Sequence, residues 1–299
     1  MGVVLWVAGV AVAYQAAVLA VVWVGWRNAR VPHRRDPRGL GLAFETVRIP
    51  TAGGKSLHGW WIPAPAPPAA DAPCLILVHG WGRNVERMLP WIALLHPAGF
   101  DLLAFDARHH GSSDADGYGS LPKFSEDIRA AADFVVRRRS VAPPRGIGVL
   151  GLSVGGSAAI HAAALDPRLA AVATVGAFAD AADPRATVGP YWWILAPGLP
   201  LAFRLIEHHV GVRFRSVSPA AAIARARARF LLIHGTDDTV VPVENVTVLA
   251  AAAGERARTW ILPGRGHSDL HREKAMGATL AGFFREALGD GRPAPGTAA

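Results

Sequence analysis

The sequence predicts an α/β fold, a mostly parallel sheet flanked by helices, carried behind an N-terminal transmembrane helix. Three observations lead there. Five strand-length runs are apolar at every position: Cys74–Val78, Leu102–Phe105, Ile147–Leu150, Ala171–Val175 and Phe230–Ile233. Runs of that kind suit strands covered on both faces, as in a parallel sheet. Helix-length segments lie between and after them at Lys123–Arg139, Val154–Leu165, Val243–Ala253 and Asp269–Ala287, and such alternation marks a wound α/β sheet. The third observation is the run Val3–Trp26, which holds no charged residue.

Composition agrees. A chain of 299 residues, 51% hydrophobic and 18% charged, is not disordered and is long enough for one large domain. A single cysteine, Cys74, excludes an intramolecular disulfide framework and any multi-cysteine zinc or iron–sulfur site.

Taken in order, residues 1–27 read as an anchor. As a helix, Val3–Trp26 would extend roughly 36 Å, enough for a hydrocarbon layer of about 30 Å with some tilt. Trp6 near one end and Trp23 and Trp26 at the other match interfacial aromatic belts. A cleaved signal peptide would have a basic leading end, but here the basic cluster follows the apolar run. Arg27, Arg30, Arg34, Arg35 and Arg38 against Asp36 supply half of the formal net charge of +8. Their position points to a membrane surface before nucleic acid, and the positive-inside rule places the following domain in the cytoplasm. Residues 28–43 then form a basic linker. Thr46–Ile49 and Leu57–Ile62 flank a Gly-Gly turn and predict a hairpin at the start of the domain, residues 44–288. Residues 289–299 are expected to be a flexible tail.

The strand–helix rhythm breaks between Val175 and Phe230. The interval is too apolar for a surface loop and is expected to be a helical cap insertion, about 179–228, supplying an apolar pocket.

The chemistry begins at Gly151-Leu152-Ser153-Val154-Gly155, which joins a predicted strand to an alanine-rich helix. A tight strand–turn–helix around G-x-S-x-G thrusts a serine hydroxyl above the sheet, and its glycines allow the close backbone approach. A serine nucleophile needs a base, and the base an orienting acid. Asp237 and Asp238 follow the strand Phe230–Ile233, and both are candidates for the acid. His267 lies in a Gly-rich loop after the strand-like run Thr259–Leu262. The chain holds twelve histidines, so His267 gains weight only from the order Ser…Asp…His. Acyl transfer also needs two backbone N–H groups aimed at the developing oxyanion. Val154, next after the serine, and Trp81, in the loop His79-Gly80-Trp81-Gly82-Arg83-Asn84, are the natural donors.

The segments LVHGWGRN (77–84), FDARHHGSSD (105–114), GLSVGG (151–156), IHGTDDTVVP (233–242) and GRGHSDL (264–270) resemble the α/β-hydrolase superfamily from about Phe44 to Leu288. The helix ahead of the domain is similar to that of Bem46-like and other membrane-anchored serine hydrolases. The resemblance implies an α/β-hydrolase fold and a Ser153–His267–Asp238 triad, with an oxyanion hole from Trp81 and Val154. In such relatives the acid is the aspartate three residues before the apolar residue that precedes proline, which falls on Asp238. Ala107–Gly111 departs from the relatives' Arg-Gly-His-Gly pattern but lies outside the triad.

The expected function is hydrolysis of an ester-like bond in a small-molecule or lipid-like apolar acyl substrate, with membrane association and no cofactor. His109-His110 and His208-His209 are not expected to bind metal, because adjacent strand residues face opposite ways and no carboxylate has ligand spacing. The arginines at 137–139 and 225–229 lack any stacking platform, so no nucleic-acid partner is expected. The alternatives are an acyltransferase or peptidase on the same triad, or a catalytically silent membrane-tethered scaffold.

Overall fold

The computed structural model describes residues 1–27, 30–65, 72–139, 146–183, 185 and 192–289. Parts of the predicted linker (28–29), cap (184 and 186–191) and tail (290–299) lie outside the described residues.

The first apolar run is one helix, α1 (Gly2–Trp26), long and apolar enough to cross a membrane and mostly exposed. The predicted hairpin forms from β1 (Glu45–Thr51) and β2 (Lys55–Ile62), paired antiparallel. The sheet continues with β3 (Cys74–Val78), β4 (Asp101–Phe105), β5 (Ile147–Leu152), β6 (Leu169–Val175), β7 (Arg229–Gly235) and β8 (Ala257–Leu262). Its eight strands run in the order β1-β2-β4-β3-β5-β6-β7-β8. β2 meets β4 antiparallel, and every pairing from β4 to β8 is parallel.

The unbroken apolar runs now have their reason. Cys74, Ile76 and Val78 point to one face of the sheet and Leu75 and Leu77 to the other. On the first face lie α3 (Leu121–Arg139), α4 (Val154–Leu165), α6 (Pro219–Arg225) and α7 (Glu244–Ala253). On the second lie α2 (Leu89–Leu95) and α8 (Met276–Leu288). Each large apolar side chain buried this way contributes about 1.5–3 kcal/mol.

Two elements differ from expectation. α2 has only seven residues, too short for a helical period to stand out, yet it buries Leu89, Trp91, Ile92 and Leu95. The segment expected to be helical from Asp269 becomes regular only at Met276, because the Asp269 carboxylate accepts the Gly266 N–H (2.8 Å) and closes the His267 loop instead. In the interval expected to be a cap, α5 (Leu199–Val210) packs Leu199, Ala202 and Ile206 on Val18 and Val22 of α1, whereas α6 belongs to the layer over α4.

Phe284 is fully buried between Phe100 and Phe283 and lies against β5 at Gly148. Phe284→Ala is expected to destabilise the fold by about 3–5 kcal/mol in chemical denaturation, the cost of an unfilled aromatic site.

Candidate active site

β5 ends at Leu152 and α4 begins at Val154, so Ser153 alone makes the turn, at φ 52° and ψ −122°. A non-glycine residue in this region is strained, and the surroundings must over-determine it. They do. The Ser153 N–H donates to Val175 O on β6 (2.8 Å), and the Ser153 carbonyl accepts from the N–H groups of Gly156 (2.9 Å) and Ser157 (3.0 Å). A Cβ at Gly151 would run into the carbonyl of Gly155, and one at Gly155 into that of His79. Both glycines are therefore required by the closeness of β5, α4 and the loop after β3.

β7 delivers Asp238 just past its carboxyl end. The Asp238 Oδ1 accepts the N–H groups of Val240 (2.9 Å) and Val241 (2.8 Å), and Oδ2 lies 2.7 Å from His267 Nδ1 and 3.2 Å from His234 Nε2. Burial opposes ionisation of this carboxyl, but the bonds from His234 and His267 together with the Val241 N–H outweigh it. They hold Asp238 well below the ordinary carboxylate range. Asp237 is exposed and, among the described residues, its carboxylate accepts the neighbouring Thr236 hydroxyl, whereas Asp238 meets the imidazole.

His267 and Ser153 line one cavity of about 610 Å³, together with Trp81 and Val154. Val154 is the first residue of α4, where a backbone N–H has no intrahelical acceptor. The four residues singled out as nucleophile, base and oxyanion donors thus line one cavity, and Asp238 holds the Nδ1 side of His267.

Histidines that sequence spacing left without a role support this site. His79 Nδ1 donates to Gly80 O (2.7 Å) while its Nε2 accepts the Ala107 N–H (3.1 Å). His110 Nδ1 donates to Arg108 O (2.9 Å) and its Nε2 accepts the Gly82 N–H (3.3 Å). Each ring needs one bare nitrogen and is held neutral, and burial beside His79 brings His110 down to about 3. Both rings therefore brace the loop that carries Trp81. His234, fully buried, does the same for Asp238 and also reaches Val241 O (2.8 Å). Arg108, in the stretch that departs from the relatives' pattern, pairs through Nε with Asp127 on α3 (2.7 Å) and anchors that loop.

The basic linker also docks here. Asn84 donates to the carbonyls of Val31 and Pro32 (3.1 Å each), and Arg35 N–H donates to Glu86 (2.6 Å). His33 Nε2 lies 2.7 Å from Asp106 Oδ2. Among the described residues, His33, His58 and Asp106 are the group whose ligand-type atoms come within 4.8 Å of one another. The Asp106 oxygens already accept the N–H groups of Val85 (2.7 Å) and Ser112 (2.8 Å), which makes the carboxylate a brace for the loop after β3.

The sheet order and its helical layers are those of the α/β-hydrolase fold, and likeness to a hydrolase family over part of the chain supports a hydrolase. The family described as "Serine aminopeptidase, S33" (Hydrolase_4) matches residues 70–200. The protein Rv2307c of Mycobacterium tuberculosis is 29% identical over 227 residues, 76% of this chain and 73% of its own length. The protein YfhR of Escherichia coli K12 is 29% identical over 234 residues, 77% of this chain and 75% of its own. Among solved structures, the Pyrococcus furiosus esterase Pf2001 superposes with a TM-score of 0.70 at 22% identity, covering 88% of this chain and 98% of that one. The Pyrococcus horikoshii acylaminoacyl peptidase does so with a TM-score of 0.65 at 18% identity, over 85% of this chain and 44% of that one.

Asp106 raises the His33 imidazole above its ordinary 6.5, outweighing burial. A raised histidine contributes stability that is complete below the free-imidazole value and is lost as pH climbs through the raised one. The difference in Tm between the unaltered protein and His33→Gln is therefore expected to be largest below pH 6.5 and to shrink toward alkaline pH, in thermal melts across that range.

Proposed function

We propose that the protein is a membrane-anchored serine hydrolase that cleaves the ester or thioester bond of an apolar acyl substrate. One observation supports this most directly. An ionised Asp238 holds the Nδ1 side of His267 at 2.7 Å, and the imidazole shares its cavity with a serine kept at positive φ. In this reading Ser153 Oγ adds to the carbonyl carbon while His267 takes its proton at Nε2. Asp238 fixes the tautomer and steadies the imidazolium that forms. The N–H groups of Trp81 and Val154 receive the oxyanion. Collapse breaks the bond to the leaving alcohol or thiol, which departs with the proton from His267. Water then attacks the acyl-enzyme, again giving its proton to His267, and releases the free acid and Ser153.

The S33 description raises a second reading, cleavage of an amino-terminal peptide bond. An aminopeptidase site needs an anion for the substrate's α-ammonium. The cavity lining holds no Asp or Glu among the described residues and instead presents Arg83 and Arg87, which favours the ester reading. The anchor in this proposal is α1, and under the positive-inside rule the arginines after it favour a cytoplasmic hydrolase body.

Ser153→Ala is expected to abolish fluorophosphonate labelling and to lower p-nitrophenyl ester turnover by about 10⁴-fold or more, and Asp238→Asn by about 10⁴-fold. Labelling that persists in Ser153→Ala would reject the assignment. Faster cleavage of aminoacyl p-nitroanilides than of esters would select the peptidase instead.

A further inference from the structure

The cavity that holds Ser153 is not closed by the α/β body alone. Part of its lining comes from Val21, Val22, Gly25 and Trp26 at the end of α1, together with Ile206 and Val210 of α5. This lining is fixed rather than tethered. Tyr14 OH donates to Ile194 O (2.6 Å), Gln15 Nε2 donates to Gly198 O (3.1 Å), and the Trp26 ring lies 4.7 Å from that of Tyr118.

The attachment at Tyr14 has a geometric consequence. Only the dozen residues before it stand clear of the body, about 18 Å of helix, against a hydrocarbon layer of about 30 Å. For α1 to span that layer, the cap beside it must sit within the apolar zone. The cap's surface suits that depth, since Trp193, Ile194, Leu201 and Leu205 are all exposed next to α1. The seam between α1 and α5 then faces lipid.

The same cavity also carries opposite chemistry. Arg83 and Arg87 line it and are exposed, which places them at its rim. Neither guanidinium meets a carboxylate among the described residues; Glu86 between them turns to the backbone of the linker and to Arg35. Partial desolvation of this otherwise exposed side chain, with the like charges of Arg83 and Arg35 close by, lowers Arg87, as expected of a cation with no anion beside it.

We propose that α1 is a wall of the substrate site and that the substrate is a single-chain acyl ester with an anionic head group, its chain entering from the lipid layer between α1 and α5 and its anion held by Arg83 and Arg87. This rests on the serine-hydrolase reading above, and it makes the first helix a specificity element as well as an anchor. The anion is a phosphate or carboxylate, and its source is either a lysolipid or a soluble acyl thioester such as acyl-CoA.

The test uses the full chain in detergent micelles. Gly25 lines the cavity and a Cβ there meets nothing within 4 Å, so Gly25→Trp adds bulk at the lining with no clash at Cβ. The ratio of kcat/KM for p-nitrophenyl laurate to that for p-nitrophenyl acetate is expected to fall by about tenfold or more. Gly9→Trp, equally open but remote from the cavity on the same helix, leaves that ratio unchanged. Replacing both Arg83→Gln and Arg87→Gln is expected to lower the preference for 1-lauroylglycerol 3-phosphate over neutral 1-lauroylglycerol by about tenfold. A loss confined to lauroyl-CoA would support the anion site with a soluble source and overturn entry from lipid. A laurate-to-acetate ratio that does not move in Gly25→Trp overturns the helical wall, and equal losses on charged and neutral esters overturn the anion site. Failure of the underlying reading looks different: the unaltered protein would hydrolyse neither acetate nor laurate, and Ser153 would take no fluorophosphonate.

Discussion

The backbone at residue 153 is the constraint on which the site depends. A strand and a helix meet there with a single residue between them, and that residue is held in a conformation that L-amino acids avoid. The cost is met by packing. Hydrogen bonds from β6 and from the first turn of α4 grip Ser153 on both sides, and the glycines at 151 and 155 let three backbones come within contact distance. If α4 relaxed away from β5, the hydroxyl would lose its direction and the first amide of α4 would no longer face the same space. The helix, the loop after β3 and the carbonyl row of β6 are thus parts of one tightly fitted joint.

Charge is placed around this joint with the same economy. The carboxylates nearest to it, Asp106 and Asp238, are buried, and each is surrounded by N–H donors that keep it ionised. Three of the histidines beside them are fixed by backbone partners, with His79 and His110 turned so that one nitrogen accepts. Among the described residues, His267 is the histidine that both pairs with a buried carboxylate and lines the cavity. A proton acceptor in an acyl-transfer site needs that combination, a fixed tautomer on one side and free access on the other.

Much of this is legible in the linear sequence. Runs such as CLILV at 74–78 need no partner to announce a strand covered on both faces, because alternation in side-chain direction makes both faces apolar at once. GLSVG carries its meaning through position, after one such strand and before an alanine-rich helix. What stays hidden depends on packing between distant pieces. Leu89–Leu95 is too short to show a helical period, so α2 emerges only through the core it fills. The bracing roles of His79, His110 and His234 come from loops brought together by the sheet order. Residues 31–35 have the composition of a free linker, and nothing local reveals that Asn84, Glu86 and Asp106 hold them down. Between Asp237 and Asp238, spacing alone offers no choice, and the turn at Val240 and Val241 makes it.

Tyr14 and Gln15, the two polar interruptions of the first helix, have a mechanical meaning. A bare apolar helix in lipid is free to spin about its own axis. Here two adjacent side chains, both bonded to carbonyls on one neighbouring turn of chain, act as a key in a slot. The azimuth of the helix is thereby locked to the orientation of the globular body. Torque applied to one is transmitted to the other, and Ser153 keeps a constant bearing relative to the axis of the helix.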